Sequence, residues 1–436
     1  VRIGAVVRAA LLGAALVLSS AGAGGADSPA PSTGLLPGGG TYILRPAQGA
    51  PVAAIALWYR APSSGFAAPI PGLGRLAAAA VAASAPVTGT PLARFVRQVG
   101  GRLTIAAYPE SVAVSVVVPA NRAAEAVEAM TRSFFAPVLT DAGLALARED
   151  VLEDVTMRSF NRDAALNDAI YATLFAAGPA KIPPFGTSQA FAALTLAGVR
   201  AYAERAFRPA NAMLIATGAV DANVLASALP GRADAAPGQE QPLPEVLASP
   251  LTPVQAPGTE PGFGLGWAGP PIADESAATA FDFIADYLFY PDTGIVQQEV
   301  STTGASLVGT FVTYHAPGVF LVSSVGGDQV GTRAAVDAAL RAIQTPLAPA
   351  TFEAARRRFV YHILSDSGTP AALADTYGWY AVEGDASYAP GEGGAAGRYL
   401  AAAAALTPDF VAATAARYLG RPGAAVTIAP ANPGAK

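Results

Sequence analysis

The sequence predicts an α+β protein of two homologous domains, each a mainly antiparallel sheet with helices packed on one face. Three observations predict it. Runs of apolar residues with period-two alternation are interspersed with long stretches of helical period, the pattern of helices layered on an antiparallel sheet. The order of elements then repeats. Residues 194–221 read LTLAGVRAYAERAFRPANAMLIATGAVD and residues 406–430 read LTPDFVAATAARYLGRPGAAVTIAP. Both begin Leu-Thr, run through an Ala-rich amphipathic helix ending in an aromatic residue, turn at a proline and finish in an apolar strand. A repeat of about 200 residues is domain duplication rather than a solenoid. Finally, 436 residues, 52% hydrophobic and 14% charged, exceed one ordinary core and lie far from the composition of disorder.

The elements follow in order. Arg2 and Arg8 precede an apolar stretch, residues 9–18, which gives way to small residues up to Ala26. This is the layout of a secretory signal over 1–26. The apolar part is too short for a bilayer span, which needs about 20 residues, so no stable membrane insertion is expected once the signal is removed. Residues 27–40 are rich in Pro, Gly and Ser and predict a disordered tail. TYILRPA and VAAIALWYRA read as strands. Helices are expected over 73–83 and 91–99, the second stopped by Gly100-Gly101. RLTIAAYP and ESVAVSVVVP form a hairpin, with Ser111, Ala113 and Ser115 alternating with Val112, Val114 and Val116. Asn121 is expected to cap a helix through 135, and Thr140 or Asp141 a long one through about 161. Helices over 164–176 and 196–207 lead to the strand NAMLIATGAV. Residues 229–258 lack periodicity and read as a linker between domains at 41–228 and 259–436.

Composition excludes several chemistries. A net charge of −5 offers no basic stripe for nucleic acid. With no cysteine there are no disulfides, thiolate nucleophiles or Cys-based zinc sites. The two histidines, His315 and His362, lie in different predicted elements without a second His at helical spacing, so each reads as structural or surface. His362, Ser365 and Asp366 share one helix face. Functional Ser-His-Asp triads converge from separate elements, so a solvated face is the expectation. Arg356–Arg358 read as surface charge. GGDQVG lacks the strand–loop–helix spacing of a phosphate cradle. DTYGWY is expected to pack in a core or between domains.

Several motifs, taken in order, resemble the insulinase/pitrilysin family of zinc metallopeptidases, in the two-domain form of the mitochondrial processing peptidase subunits. They are PIPGLGRL opening a helix, FVRQVGG before a hairpin, AREDVLEDV on a long helix, PPFGTS, the Arg208-Pro209-x-Asn211 to Gly218 element, LAPATFEAARRRFVYHIL and LTPDFVAATAARYL. The resemblance implies a clamshell of two domains around a chamber. It also implies an inverted zinc motif, His-x-x-Glu-His, on the helix after the Gly-Leu loop. Two imidazoles at i and i+4 share a metal there, the intervening Glu takes a proton from water, and a distant carboxylate is the third ligand. Matched residue by residue, Arg75 stands at the first His, Ala78 at the Glu and Ala79 at the second His. Asp154 (or Glu153) stands at the third ligand, and Ala147 replaces an accompanying Glu. Arg offers no lone pair and Ala no donor. Thr104 matches the family's substrate-holding Asn. An Arg and a Tyr that zinc-less subunits contribute from the second half fall near Ser301 and Leu307, with Tyr314 nearby but out of register.

The expected function is therefore a catalytically inactive peptidase-like subunit, exported and periplasmic. It would pair as a heterodimer with a zinc-bearing homologue to process peptides. No metal or cofactor is expected in this chain, zinc belonging to the partner, and Thr104 and Tyr314 are the candidate substrate contacts. The alternative is a non-proteolytic peptide-binding or scaffold protein of the cell envelope. A less favoured reading is an active zinc metallopeptidase with a rearranged site.

Overall fold

The structure, a computed structural model, describes residues 31–36, 38–47, 49–66, 68–87, 89–161, 163–228, 245–246, 254–256, 260–390 and 397–428. The expected signal segment lies outside them. In the first half the order is β1 (Ser32–Leu35), β2 (Thr41–Pro46), β3 (Val52–Arg60), α1 (Leu73–Ala83), α2 (Leu92–Gln98), β4 (Arg102–Ala107), β5 (Ser111–Pro119), α3 (Ala123–Phe134), α4 (Asp141–Ser159), α5 (Ala164–Leu174), β6 (Phe175–Ala177), α6 (Ser188–Ala193), α7 (Leu196–Ala206), β7 (Ala212–Gly218) and α8 (Ala222–Ala228). After β8 (Glu245–Val246) and β9 (Val254–Ala256), the second half runs β10 (Gly262–Gly269), α9 (Glu275–Phe289), α10 (Ile295–Val300), β11 (Ser306–Val312), β12 (Gly318–Val325), α11 (Gln329–Ala342), α12 (Pro349–Asp366), α13 (Pro370–Glu383), α14 (Arg398–Ala405), α15 (Pro408–Leu419) and β13 (Ala424–Ile428).

The duplication is visible in the sheets. The first is ordered β1-β2-β7-β3-β5-β4 and the second, read from its other end, β9-β13-β10-β12-β11. In each, the first and last strands of the repeat pair in parallel, β2 with β7 and β9 with β13, while the pairs β7–β3, β3–β5 and β5–β4 and their counterparts in the second sheet are antiparallel. Thr195 and Thr407 cap α7 and α15 in the same way, their hydroxyls accepting from Gly198 N and Phe410 N. Thr140 caps α4, accepting from Gly143 N at 3.0 Å. Asn211 is buried because its amide donates to the last carbonyls of α7, Arg205 and Ala206, at 3.2 Å each.

Three expectations are corrected. The predicted tail at 27–40 already contains β1, which pairs with β2 from Ser32 opposite Leu44 to Leu35 opposite Thr41; extended backbone at a sheet edge finds ladder partners despite its Gly and Ser content. The predicted linker at 229–258 contributes two sheet strands: β8 pairs with β6, which occupies the expected end of α5, and β9 extends the second sheet. Asn121 does not cap α3. Residues Ala120–Arg122 form a 3-10 turn and the helix starts at Ala123, after Arg122, with no side-chain cap.

Each sheet carries its own half's helices on one face. The second face is covered by one helix from the other half: α13 lies on β3 and β7, and α5 lies on β10 and β13. This exchange explains why VAAIALWY is apolar throughout rather than alternating. Ala53, Ile55, Leu57 and Tyr59 enter the core of the first half, whereas Ala54, Ala56 and Trp58 join the core that contains the second half. Close approach is made possible by glycine on both sides. A Cβ on Gly266 of β10 would lie 2.3 Å from Ile170 of α5, and one on Gly378 of α13 would lie 1.9 Å from Trp58 Nε1. Gly378→Ala is therefore expected to lower stability by about 1–3 kcal/mol through overpacking, although alanine recovers up to about 1 kcal/mol of helix propensity. Urea unfolding of the variant measures the net loss, and an unchanged midpoint would refute the close contact.

Candidate functional site

The stretch PGLGRLAAAA places α1 against α4 and α7. Gly72 precedes the helix with φ 75°, and a Cβ there would lie 2.5 Å from Phe191 and 2.6 Å from the Gly186 backbone. The loop carrying Phe185 and Gly186 is thereby held against the first turn of α1. Its consequence is the environment of Arg75. The Arg75 side chain is 7% exposed and its Nη2 is ion-paired to Asp154 of α4. Its Nη1 donates to the Phe185 carbonyl at 3.3 Å, and the guanidinium sits 3.8 Å above the Phe185 ring centroid. Arg158, one turn beyond Asp154, reaches the same ring at 5.0 Å and makes a bidentate pair with Asp168 at 2.8 Å. Burial pulls the Arg75 guanidinium below its ordinary value, and Asp154 pulls it back up.

The structure thus brings together the two positions that the sequence resemblance assigns to the first and third metal ligands. What meets there is a guanidinium and a carboxylate. Ala78 is fully buried and Ala79 half-buried on the same helix, neither with a donor atom; Ala147 is buried on α4. Asp154 keeps 57% of its side chain exposed, and Asp150, a turn earlier, has its carboxyl pushed up by burial and then by Asp154. Zinc needs three protein lone-pair donors and an open position. Among the described residues no three His, Cys, Asp or Glu side chains gather to hold a metal ion. This donor set does not fit zinc.

No family model and no curated relative matches the sequence. Solved structures do. A protease from Helicobacter pylori superposes with a TM-score of 0.80 at 14% identity, covering 92% of this chain and 100% of that one. A peptidase M16 inactive domain from Pseudomonas fluorescens gives 0.73 at 17% identity, covering 93% and 98%. A chain of complex III2 from Candida albicans gives 0.75 at 12%, covering 91% and 95%. The chain has the M16, or insulinase, peptidase fold. At these identities the likeness is one of fold, and function rests on the site.

Within the M16 fold the other sequence candidates separate. Thr104 is exposed on β4, opposite Ser115 of β5. β4 ends the first sheet, and no strand among the described residues pairs with its outer edge. Leu307 is buried on β11, and Ser301 is exposed just after α10. Tyr314 is no surface contact: it is 7% exposed, its hydroxyl bonds to that of Tyr171 at 3.1 Å, and its ring packs on Trp379. Both histidines have structural partners. His362 Nδ1 meets Asp286 at 2.9 Å and its ring stacks on Tyr290, while Ser365 is exposed, so the polar triplet on α12 makes no triad. The backbone N–H of His315 donates to Glu383 at 3.1 Å.

Around Tyr314 lies an aromatic cluster in which Trp379 of DTYGWY packs between the halves as expected; its first-half partners and the carboxyls beside it were not foreseen. Trp58 and Tyr108 of the first half stack at 5.6 Å, and Trp379 of the second meets them edge-on at 6.3 and 5.0 Å. Two carboxyls close one side. Glu110 lies in the turn between β4 and β5 and Glu383 ends α13, 7% and 1% exposed. Glu383 accepts from the Ser111 hydroxyl at 3.5 Å and from His315 N. Arg60 donates to the carbonyl of Val382 at 2.7 Å and of Ala381 at 3.3 Å, tying β3 to the end of α13. Burial, then the Glu110 charge, pushes Glu383 up to about 8; burial pushes Glu110 up to about 7 against the pull of Arg60. A glutamate in a hairpin turn and another before a glycine read locally as solvated, so the sequence carries no signal for the pair.

Proposed function

We propose that this protein is a catalytically inactive M16-fold subunit that works beside a zinc-bearing homologue to process peptides in the cell envelope. The observation that carries the reading is the Arg75–Asp154 pair: a fixed positive charge fills the position where the resemblance calls for a metal, with alanines in place of the base and second ligand. The exposed edge of β4, with Thr104 on it, offers backbone groups to which an extended peptide would add as a strand. The signal-like start of the chain supports export. A second reading, a scaffold without proteolysis, is favoured by the occurrence of the same fold in complex III2.

Purified chain is expected to carry no stoichiometric zinc and to leave peptides intact. Co-expressed with a homologue bearing His-x-x-Glu-His, it is expected to co-elute on size exclusion and to raise that partner's cleavage rate. Zinc-dependent hydrolysis by the isolated chain would overturn the inactive assignment. A homologue that cleaves equally well alone and never co-elutes would leave the scaffold reading.

A further inference from the structure

We propose that Glu110 and Glu383 form a carboxyl latch at the seam that holds the two halves together at acidic pH and loosens as both carboxyls ionise. The inference stands on placement and does not depend on the peptidase-subunit reading. Glu110 comes from the first half's hairpin turn and Glu383 from the last turn of the second half's α13, at the seam where α13 crosses the first sheet. From β3, the exposed Arg60 pulls on both carboxyls by its charge without an ion pair to either, and its Nε and Nη2 donate to the Val382 and Ala381 carbonyls. From β5, Ser111 offers one hydroxyl. From the β11–β12 turn, His315 offers its backbone N–H, and its Nδ1 meets the Glu383 carbonyl at 3.2 Å. Tyr314 is buried and Tyr108 partly buried, their phenols held neutral by desolvation, and the Asp375 carboxyl on α13 adds a further charge acting on Tyr108. This environment supports one negative charge and penalises two.

The sign follows from the direction of the shifts. Both carboxyls bind protons more tightly in the folded chain than in the ordinary carboxylate range, so their contribution is fully present below about pH 4.5 and is lost as pH rises through about 7 and 8. Because the pair spans the two halves, the loss falls on their contact first. The opened seam would expose the aromatic cluster without unfolding α1, α4 or the outer helices.

The test is hydrogen exchange of the full chain at pH 6 and pH 9, corrected for intrinsic rates, alongside infrared titration of the protonated-carboxyl band. Wild type is expected to lose protection about tenfold or more at 108–111, 313–316 and 376–383, with α1 and α4 unchanged. A protonated carboxyl is expected to persist at pH 6 and vanish by pH 9. Glu383→Gln, or Glu110→Gln if the first does not fold, is expected to keep the seam protected at pH 9. Equal protection of wild type at the two pH values, no protonated carboxyl at pH 6, or an undiminished pH effect in a folded Gln variant would each overturn the proposal.

Discussion

Trp379→Ala is expected to destabilise the protein by about 3–5 kcal/mol, the range for truncating a fully buried large aromatic. Trp379 is 1% exposed and lies where the cores of the two halves touch. It meets Trp58 and Tyr108 from the first half and Tyr314 from the second, with centroids 5.0–6.3 Å away. Its Nε1 also donates to the Thr313 carbonyl at 2.9 Å, so truncation leaves that acceptor without its indole donor. The site cannot collapse easily, because α13 is pinned at both ends. The Thr217 hydroxyl donates to the Pro370 carbonyl at 2.6 Å at one end, and Arg60 holds the Val382 carbonyl at the other. Trp379→Phe keeps most of the ring and loses the hydrogen bond, so a smaller loss is expected. Urea denaturation of both variants checks the order. A Trp379→Ala loss below about 1 kcal/mol would show that the seam is not packed as described.

Arg75→Glu is expected to cost about 3–5 kcal/mol at neutral pH, comparable to breaking a buried ion pair. The substitution places a carboxylate in a nearly closed pocket beside Asp154, and removes the contacts with the Phe185 ring and carbonyl. Arg75→Met keeps the aliphatic stem and lets the half-exposed Asp154 turn to water, so about 1–2 kcal/mol is expected. The difference between the two isolates the role of the cation. The new carboxyl would bind a proton more tightly when folded, so the Arg75→Glu deficit should shrink as pH falls and grow as pH rises towards 7. Thermal unfolding at pH 5 and pH 7 measures this. Equal losses for Glu and Met at both pH values would show that positive charge at this position is not required. Neither variant is expected to gain zinc, because Ala78 and Ala79 still supply no ligand.

Much of the architecture could be read from local features. Thr140, Thr195 and Thr407 cap the helices that follow them, and the alternation in SVAVSVVVP places the β4–β5 hairpin. The order of motifs led the resemblance to assign the metal positions to Arg75, Ala78, Ala79 and Asp154, and the structure brings Arg75 and Asp154 into contact. The ion pair between Arg75 and Asp154 was not foreseen; it is made where α1 packs against α4. Tyr314, a candidate substrate contact in the sequence, is buried: nothing near TYHAPG says that the turn is covered by α5 and α13. The strands β1 and β8 were hidden by Gly- and Pro-rich surroundings, since short extended segments take their stability from a sheet formed by distant residues.

Sequence alone carried what is a property of residue types and near neighbours: most helix starts, though not that of α3, the alternation of β5, and that a guanidinium and two methyl groups offer a metal no lone pair. The tertiary structure decided which helix covers which sheet, and therefore which polar groups lose their water. Ser111 and Glu383, 272 positions apart, meet only because α13 crosses to the first half's sheet. Ionisation at such a contact depends on burial and on charges brought in from other parts of the chain, and neither exists until the two halves have closed on each other.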